Sequence, residues 1–233
     1  MRIIVTGASR GIGFELVKQY AELGHEVLAI SRNAIKLKQL KEECFHLNPN
    51  ASVYTVDFDL TTDDFKTTLI PTICSHFDQV DILVNNAGTL VNKPFLEINE
   101  NDMEHIYNVN VFSVFKIIQG LLPYLSDEAH VLNISSVGGL QGSVKFPGLS
   151  AYSSSKAALI ALTECLAEEY KNTKWSFNCL ALGAVQTEML EEAFPGYKSS
   201  TSAKEMANYI RQFSIEGSRL FKGKILNVSK STP

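Results

Sequence analysis

Cysteine, tryptophan and long apolar runs are all scarce in this chain of 233 residues. Its four cysteines (Cys44, Cys74, Cys165 and Cys179) lie far apart, and no two form a C-x-x-C. That spacing argues against a disulfide framework or a zinc site. Each sits in an apolar or helical context and reads as a buried, reduced thiol. The five histidines (His25, His46, His76, His105 and His130) are scattered and read as surface residues, so no His/Cys/carboxylate cluster has metal-ligand spacing and no metal is expected. No apolar run reaches the ~20 residues that span a bilayer. The chain starts almost at its first strand, which leaves no room for a signal peptide. Net charge is −4 and the pI about 5.8, with no basic run, so neither nucleic acid nor a membrane is an expected partner. Together these absences point to a cytoplasmic location.

What the chain does have is alternation. Its hydrophobic fraction of 45% is ordinary for a globular protein, and its length suits one α/β domain over 1–233 with an ample core. Short runs rich in Val, Ile and Leu, apolar on both faces, read as strands at 2–6, 26–31, 52–57, 81–85, 129–134, 176–181 and 224–228. Between them helices are expected near 11–23, 33–45, 62–76, 99–124 (broken), 151–171 and 203–213. Right-handed crossovers would wind these into a three-layer doubly wound, Rossmann-type parallel sheet of about seven strands with helices on both faces. The ligand of such a sheet lies across the carboxyl ends of the strands.

Two local patterns carry chemistry. RIIVTGASRGIG runs an apolar strand straight into a glycine-rich turn that opens a helix, with Gly7, Gly11 and Gly13 spaced G-x-x-x-G-x-G. Glycine permits the tight turn and lets backbone N–H groups approach a pyrophosphate, and the helix offers the positive end of its dipole. Further on, Tyr152 and Lys156 stand four apart in SAYSSSKAALIALTECLAEEY, on one face of an expected helix. A phenol titrates near ~10, and a neighbouring ammonium would lower that value and let the pair pass a proton to or from a carbonyl or alcohol oxygen. The spacing alone is common on solvated helix faces.

TGASRGIG, NNAG at 85–88, the serine of NISS and Tyr152-x-x-x-Lys156 occur in one order and register along essentially the whole chain, as far as GKILNVSKSTP. In this the chain resembles the short-chain dehydrogenase/reductase family. The resemblance implies reversible hydride transfer between a nicotinamide cofactor and a small-molecule carbonyl or alcohol. Tyr152 would be the proton donor or acceptor. Ser136 would hydrogen-bond the substrate oxygen. Lys156 would lower the tyrosine pKa and bind the nicotinamide ribose. Asn110, favoured over Asn108 by the Val-Phe-Ser-Val-Phe that follows it, would hold a water against the lysine. Ser135 and Asn85 are expected to be structural.

Cofactor contacts follow from the same resemblance. The turn would contribute Gly7, Ser9, Arg10, Gly11, Ile12 and Gly13. Asp59 and the Leu60 backbone would lie at the adenine; Asp57 would face a helix or solvent. Asn86, Ala87 and Gly88 would line the adenosine ribose. Gly183, Val185 and Thr187 would hold the carboxamide, although Leu182 stands where the family usually has proline, which removes a fixed φ. An NAD site carries an acid at the end of the second strand; this chain has Arg32 there, with Arg10 close by. Two guanidinium groups would pair with a 2′-phosphate, so NADP(H) is expected over NAD(H).

Substrate identity is less legible. Fifteen residues separate Ser136 from Tyr152, a few more than the family usually has, and the extra length reads as a loop over the site carrying Phe146 and Leu149. The segment after Thr187 is short, with Leu190, Phe194 and Tyr197 as an apolar surface, and with packing as the alternative role for Phe194 and the role of Met189. Ketoacyl reductases acting on an acidic acyl carrier are similar over the whole chain, but SDEAH before the fifth strand and Glu168 and Glu169 would repel such a carrier. A free ketone, sugar, steroid-like or pteridine-like compound is therefore placed ahead of a 3-oxoacyl thioester. An NADP(H)-binding regulatory or scaffold protein without turnover is the other class of reading. The family commonly pairs the helices at 109–124 and 151–171. This implies a homodimer or homotetramer, with Ala157, Ala158, Ala161, Ala167, Phe112, Phe115, Ile118 and Leu122 available for the contact.

Overall fold

A computed structural model describes residues 1–230; the final STP of the GKILNVSKSTP match lies outside the described residues. Seven parallel strands stand in the order β3-β2-β1-β4-β5-β6-β7. They are β1 (Arg2–Thr6), β2 (Glu26–Ser31), β3 (Val53–Asp57), β4 (Val80–Asn85), β5 (Leu125–Ser136), β6 (Ser176–Leu182) and β7 (Ile225–Val228). Strand order reverses between β1 and β4, which opens a crevice at their carboxyl ends.

Alternation along each strand builds two cores. Ile3, Val5, Val27, Ala29, Ile82 and Val84 face α1 (Gly11–Glu22), α2 (Ala34–Leu47) and α8 (Ala203–Glu216). Ile4, Leu28, Ile30, Leu83 and Val131 face α3 (Ile70–His76), α5 (Ser113–Leu121) and α6 (Ser150–Glu169). Two further helices, α4 (Glu100–Tyr107) and α7 (Glu188–Ala193), follow β4 and β6 in the chain.

The expected elements are present, with differences that have local causes. The expected helix at 62–76 begins instead as a π turn, Phe65–Leu69, because Pro71 at the start of α3 cannot donate an i→i−4 bond. The break expected within 99–124 is a second π turn, Asn108–Phe112, between α4 and α5. β5 starts earlier than expected, since Leu125 pairs with Val80 across a register shift. The helix α7 was not foreseen; Thr187 caps it by accepting from Leu190 N.

Two expectations about burial are corrected. Cys44 and Cys179 are buried, but Cys74 is half-buried and Cys165 is exposed on α6. His130 is not a surface residue: it is 2% exposed in the middle of β5. Its Nδ1 donates to Ser214 O at 2.8 Å, and Nε2 accepts from Asn178 Nδ2 at 3.0 Å. Burial holds this imidazole down to about 4 despite the Ser214 hydrogen bond. Unfolded histidine binds its proton below ~6.5, so between that pH and about 4 the unfolded chain holds more protons and stability falls with pH. At ~1.4 kcal/mol per pH unit the loss over that window reaches roughly 3 kcal/mol. Denaturant titrations at pH 7 and pH 5 should show a fall of about 2 kcal/mol for the natural chain in excess of that for His130→Gln. Equal pH slopes for both would refute the assignment.

Candidate active site

The residues singled out from the sequence converge where β1, β4, β5 and β6 end. Ser136 closes β5. Its Oγ accepts from Gly138 N at 3.2 Å, and it lies close enough to Tyr152 to draw the phenol's pKa down. Tyr152 lies in the first turn of α6, half-buried. One turn on, Lys156 is 4% exposed; its Nζ donates to Ile134 O at 2.9 Å and stands 5.8 Å from the Tyr152 ring centre. Ser135, facing the other way, donates to Lys156 O at 2.9 Å. It is a tie between strand and helix, as expected.

Asn110 is fully buried within the π turn, whereas Asn108 is half-buried. Its Oδ1 accepts from Thr89 N at 2.8 Å, and its Nδ2 donates to Thr89 O and to Ser155 Oγ. Ser155 Oγ in turn donates to Tyr152 O at 2.7 Å. The extra residue of a π turn is what swings Asn110 inward while α4 and α5 keep their own faces. Gly88 lies over this group: a Cβ there would be 3.3 Å from Lys156 Nζ and 3.5 Å from Asn110 Oδ1.

The electrostatics depart from expectation. The Tyr152 phenol lies above, not below, its usual value. Burial pushes it up, and the neighbouring Ser136 draws it partly back. Burial also pulls the lysine down to about 8. Beneath it, burial pushes the Cys179 thiol up to about 12, which keeps that thiol neutral.

The glycine-rich turn fits a dinucleotide. Gly7 has φ +69° and packs on the Ala87 backbone, and a Cβ on Gly13 would sit 2.3 Å from Gly7 O. The first turn of α1 holds no acidic residue, and Arg10 at its N-cap makes no capping hydrogen bond with its side chain. Those amino-terminal N–H groups are the kind that anions occupy. Ser9 and Ile12 flank them, half-buried. Asn86 ties β4 to the turn, donating from Nδ2 to Thr6 O and Gly7 O. Asn85 ties β4 to β5 through Asn133 Oδ1 at 2.8 Å.

At the end of β2 the Arg32 side chain is 67% exposed, with its guanidinium 3.9 Å from Asp59. Asp59 accepts from Thr61 N and Oγ1, which, with Arg32 nearby, holds it below the usual carboxylate range. Leu60 is half-buried and Asp57 exposed. Gly183 N donates to Val228 O at 3.0 Å, which ties the segment after Leu182 to β7. Val185 is buried, and the Thr187 hydroxyl caps α7. Arg10 is not free: its guanidinium grips the Glu192 carboxylate of α7 with two hydrogen bonds.

Sequence reasoning missed several supports. Thr6 Oγ1 accepts from both Asn86 N and Ala87 N; its place as the last residue of β1 before the turn was the available signal. Lys145 Nζ donates to Gly138 O, Leu140 O and Ser143 Oγ, which folds the 137–149 loop back on itself. Beside that loop lies a cavity of about 500 Å³ lined by Phe95, Lys145, Phe146, Leu149, Ser153 and Ala157. Of the other apolar residues expected to line the cleft, Leu190 and Phe194 are half-buried and Tyr197 is exposed.

The acids counted against an acyl carrier stand elsewhere. Glu168 lies about 24 Å along α6 from Tyr152 at ~1.5 Å per residue. It pairs with Lys171, and Glu128 pairs with Lys174. Both acids are exposed, on a surface away from the cleft.

An open parallel sheet, a glycine-rich first turn and a Ser–Tyr–Lys group at the strand ends define a nicotinamide-dependent oxidoreductase of the doubly wound class. Residues 1–198 match the short chain dehydrogenase family model. The chain belongs to the short-chain dehydrogenase/reductase family. It is 32% identical over 212 residues to carbonyl reductase [NADPH] 2 of Sus scrofa, covering 91% of this chain and 80% of that one. It is 29% identical over 238 residues to the 3-oxoacyl-[acyl-carrier-protein] reductase FabG of Aquifex aeolicus, covering 97% and 94%. A short chain dehydrogenase structure from Escherichia coli CFT073, complexed with NADPH, superposes with a TM-score of 0.89 at 29% identity, covering 97% of this chain and 95% of that one. Among the described residues no helix is long and apolar enough to cross a membrane, and no cluster of metal ligands occurs.

Proposed function

We propose that this protein is an NADP(H)-dependent oxidoreductase that interconverts a carbonyl compound and its alcohol. The observation that carries the reading is Tyr152 set beside Ser136, one helical turn from the buried Lys156. The cofactor would lie across the β1/β4 crevice, held by the Gly7–Gly13 turn, Arg10, Arg32, Asp59, Leu60, Asn86, Ala87, Gly88, Lys156, Gly183, Val185 and Thr187. When bound it supplies the hydride.

The chain's own groups manage the proton. A phenol whose pKa is raised is protonated at neutral pH, which suits Tyr152 to donate a proton to a developing alkoxide. Ser136 donates a second hydrogen bond to the same oxygen. Lys156, poised near 8, can return a proton to the tyrosine, with Asn110 and a water linking it outward. A binding protein without turnover needs the turn and the arginines but none of this group. The test is a panel of ketones, aldehydes, alcohols and 3-oxoacyl thioesters with NADPH or NADP, followed by nicotinamide absorbance. Tight cofactor binding without turnover of any compound would overturn the enzymatic reading. The 3-oxoacyl thioester is the second substrate reading, placed behind a free carbonyl compound because Glu128, Glu168 and Glu169 would repel an acidic carrier.

NADPH should bind at least tenfold more tightly than NADH. One charged hydrogen bond contributes ~1.5–3 kcal/mol, and a tenfold preference needs only ~1.4. Arg32→Asp should weaken or reverse the preference in a fluorescence titration. Equal affinities in the natural chain would sink the assignment.

We also read the protein as a homodimer or homotetramer. Phe112 and Phe115 are 49% and 50% exposed, and Ala157 and Ala161 are exposed on α6. Ile118 and Ala167, by contrast, are spent on the protein's own core. Light scattering at micromolar concentration should give a multiple of 25.8 kDa; a lone monomer peak would contradict it.

A further inference from the structure

The helix α7 is weakly held. None of its six residues is buried, so little apolar contact fixes it to the body. Polar ties do the work instead. Asn92 Nδ2 donates to Ala193 O at 2.9 Å. At the amino end Thr187 packs on the glycine-rich turn, 3.3 Å from where a Gly11 Cβ would stand. Between them, Glu192 takes the Arg10 guanidinium in a two-point grip, with Nη2 to Oε2 at 3.1 Å. Glu188 reaches the same turn, its Oε2 3.5 Å from the Gly11 Cβ position. The helix thus presents carboxylates to the region where the proposed function requires anionic phosphates.

The Nη1/Nη2 edge of a guanidinium accepts one bidentate anion at a time, and Glu192 holds that edge of Arg10. We infer that Glu192 is a cofactor-specificity residue. It is an internal anion that occupies the Arg10 fork until the 2′-phosphate of NADP(H) displaces it, so that phosphate binding unlatches α7 and departure relatches it. This inference rests on the NADP(H) reading above. It makes the preference for NADP(H) smaller than Arg10 and Arg32 alone would give, because part of the binding free energy goes to breaking the ion pair. It also ties the mobility of the wall over the site to the phosphate at the far end of the cofactor.

Arg10 and Glu192 are both about half exposed, and solvent-screened pairs of that kind are worth little, so the effect sought is about two- to fivefold. Affinities for NADPH and NADH are measured by fluorescence titration in the natural chain, Glu192→Gln, Arg10→Met and the double variant. Glu192→Gln should tighten NADPH by that factor and leave NADH unchanged. In the Arg10→Met background the same substitution should do nothing. Hydrogen exchange supplies a second readout that does not depend on the nicotinamide. Adenosine 2′,5′-bisphosphate should loosen the amides of α7, whereas AMP, which lacks the 2′-phosphate, should not. If the natural chain prefers NADPH and Arg10→Met lowers that preference, but Glu192→Gln changes nothing, the exchange is refuted and the cofactor reading stands. A gain for NADPH and NADH alike would mean general repulsion by the carboxylate and would also refute it. If the natural chain shows no preference, the cofactor reading fails and the exchange falls with it.

Discussion

Tyr152→Phe should lose about 100- to 10,000-fold in kcat, the range of general acid–base catalysis, while NADPH affinity stays within a factor of two. One hydroxyl is removed and the ring keeps its packing, so the fold is not at stake. The lost group is the phenol that stands beside Ser136 and whose pKa that serine draws down. Lys156 cannot replace it: its Nζ is drawn back to Ile134 O and lies 5.8 Å from the ring centre. The measurement is single-turnover and steady-state rate with a substrate found in the panel, beside a separate cofactor titration. Near-normal kcat with normal NADPH binding would require another proton donor.

Gly13→Ala should damage both stability and cofactor binding. The added Cβ would stand 2.3 Å from Gly7 O and 2.5 Å from Asn86 Nδ2, and the first of these is backbone that cannot swing aside. Overpacking of this kind typically costs ~1–3 kcal/mol. For a chain of this length each kcal/mol shifts Tm by about 2–4 °C, so calorimetry should show a fall of several degrees. The displaced parts are the Gly7 carbonyl and the Asn86 amide, which shape the expected pyrophosphate seat, so NADPH affinity should fall at least tenfold as well. An unchanged Tm together with unchanged affinity would show that the turn tolerates the methyl group.

Much of this molecule is legible from local pattern, and the reasons for the rest are physical. Strands buried on both faces announce themselves as Val/Ile/Leu runs, which is why β1 to β7 fall within a few residues of expectation. Tyr152 and Lys156 are legible because one helix carries both. The partner of Arg10 was not, since Glu192 lies 182 residues away and only the crossover topology brings them together. Nor was the direction of the tyrosine pKa: helical spacing places a cation one turn away, but burial depth decides the sign, and burial is a property of the whole fold. His130 misled for the same reason. A histidine in a polar-looking stretch, SDEAH, is extended by β5 into the interior and satisfied there by Ser214 and Asn178.

In a parallel sheet every strand delivers its carboxyl end to one rim and its amino end to the other, and here the two rims answer to different selective demands. The carboxyl rim gathers the turn, Asn86 and Ser136 around the crevice between β1 and β4. His130, Asn178 and the Arg2–Asp81 pair lie toward the amino rim, where each is engaged with other parts of the fold. Substitutions there should trade in acid tolerance and melting temperature without moving rate constants. A lineage carrying this fold could therefore adapt to a more acidic environment by replacing His130 and its partners while the chemistry at the opposite rim stayed as it was.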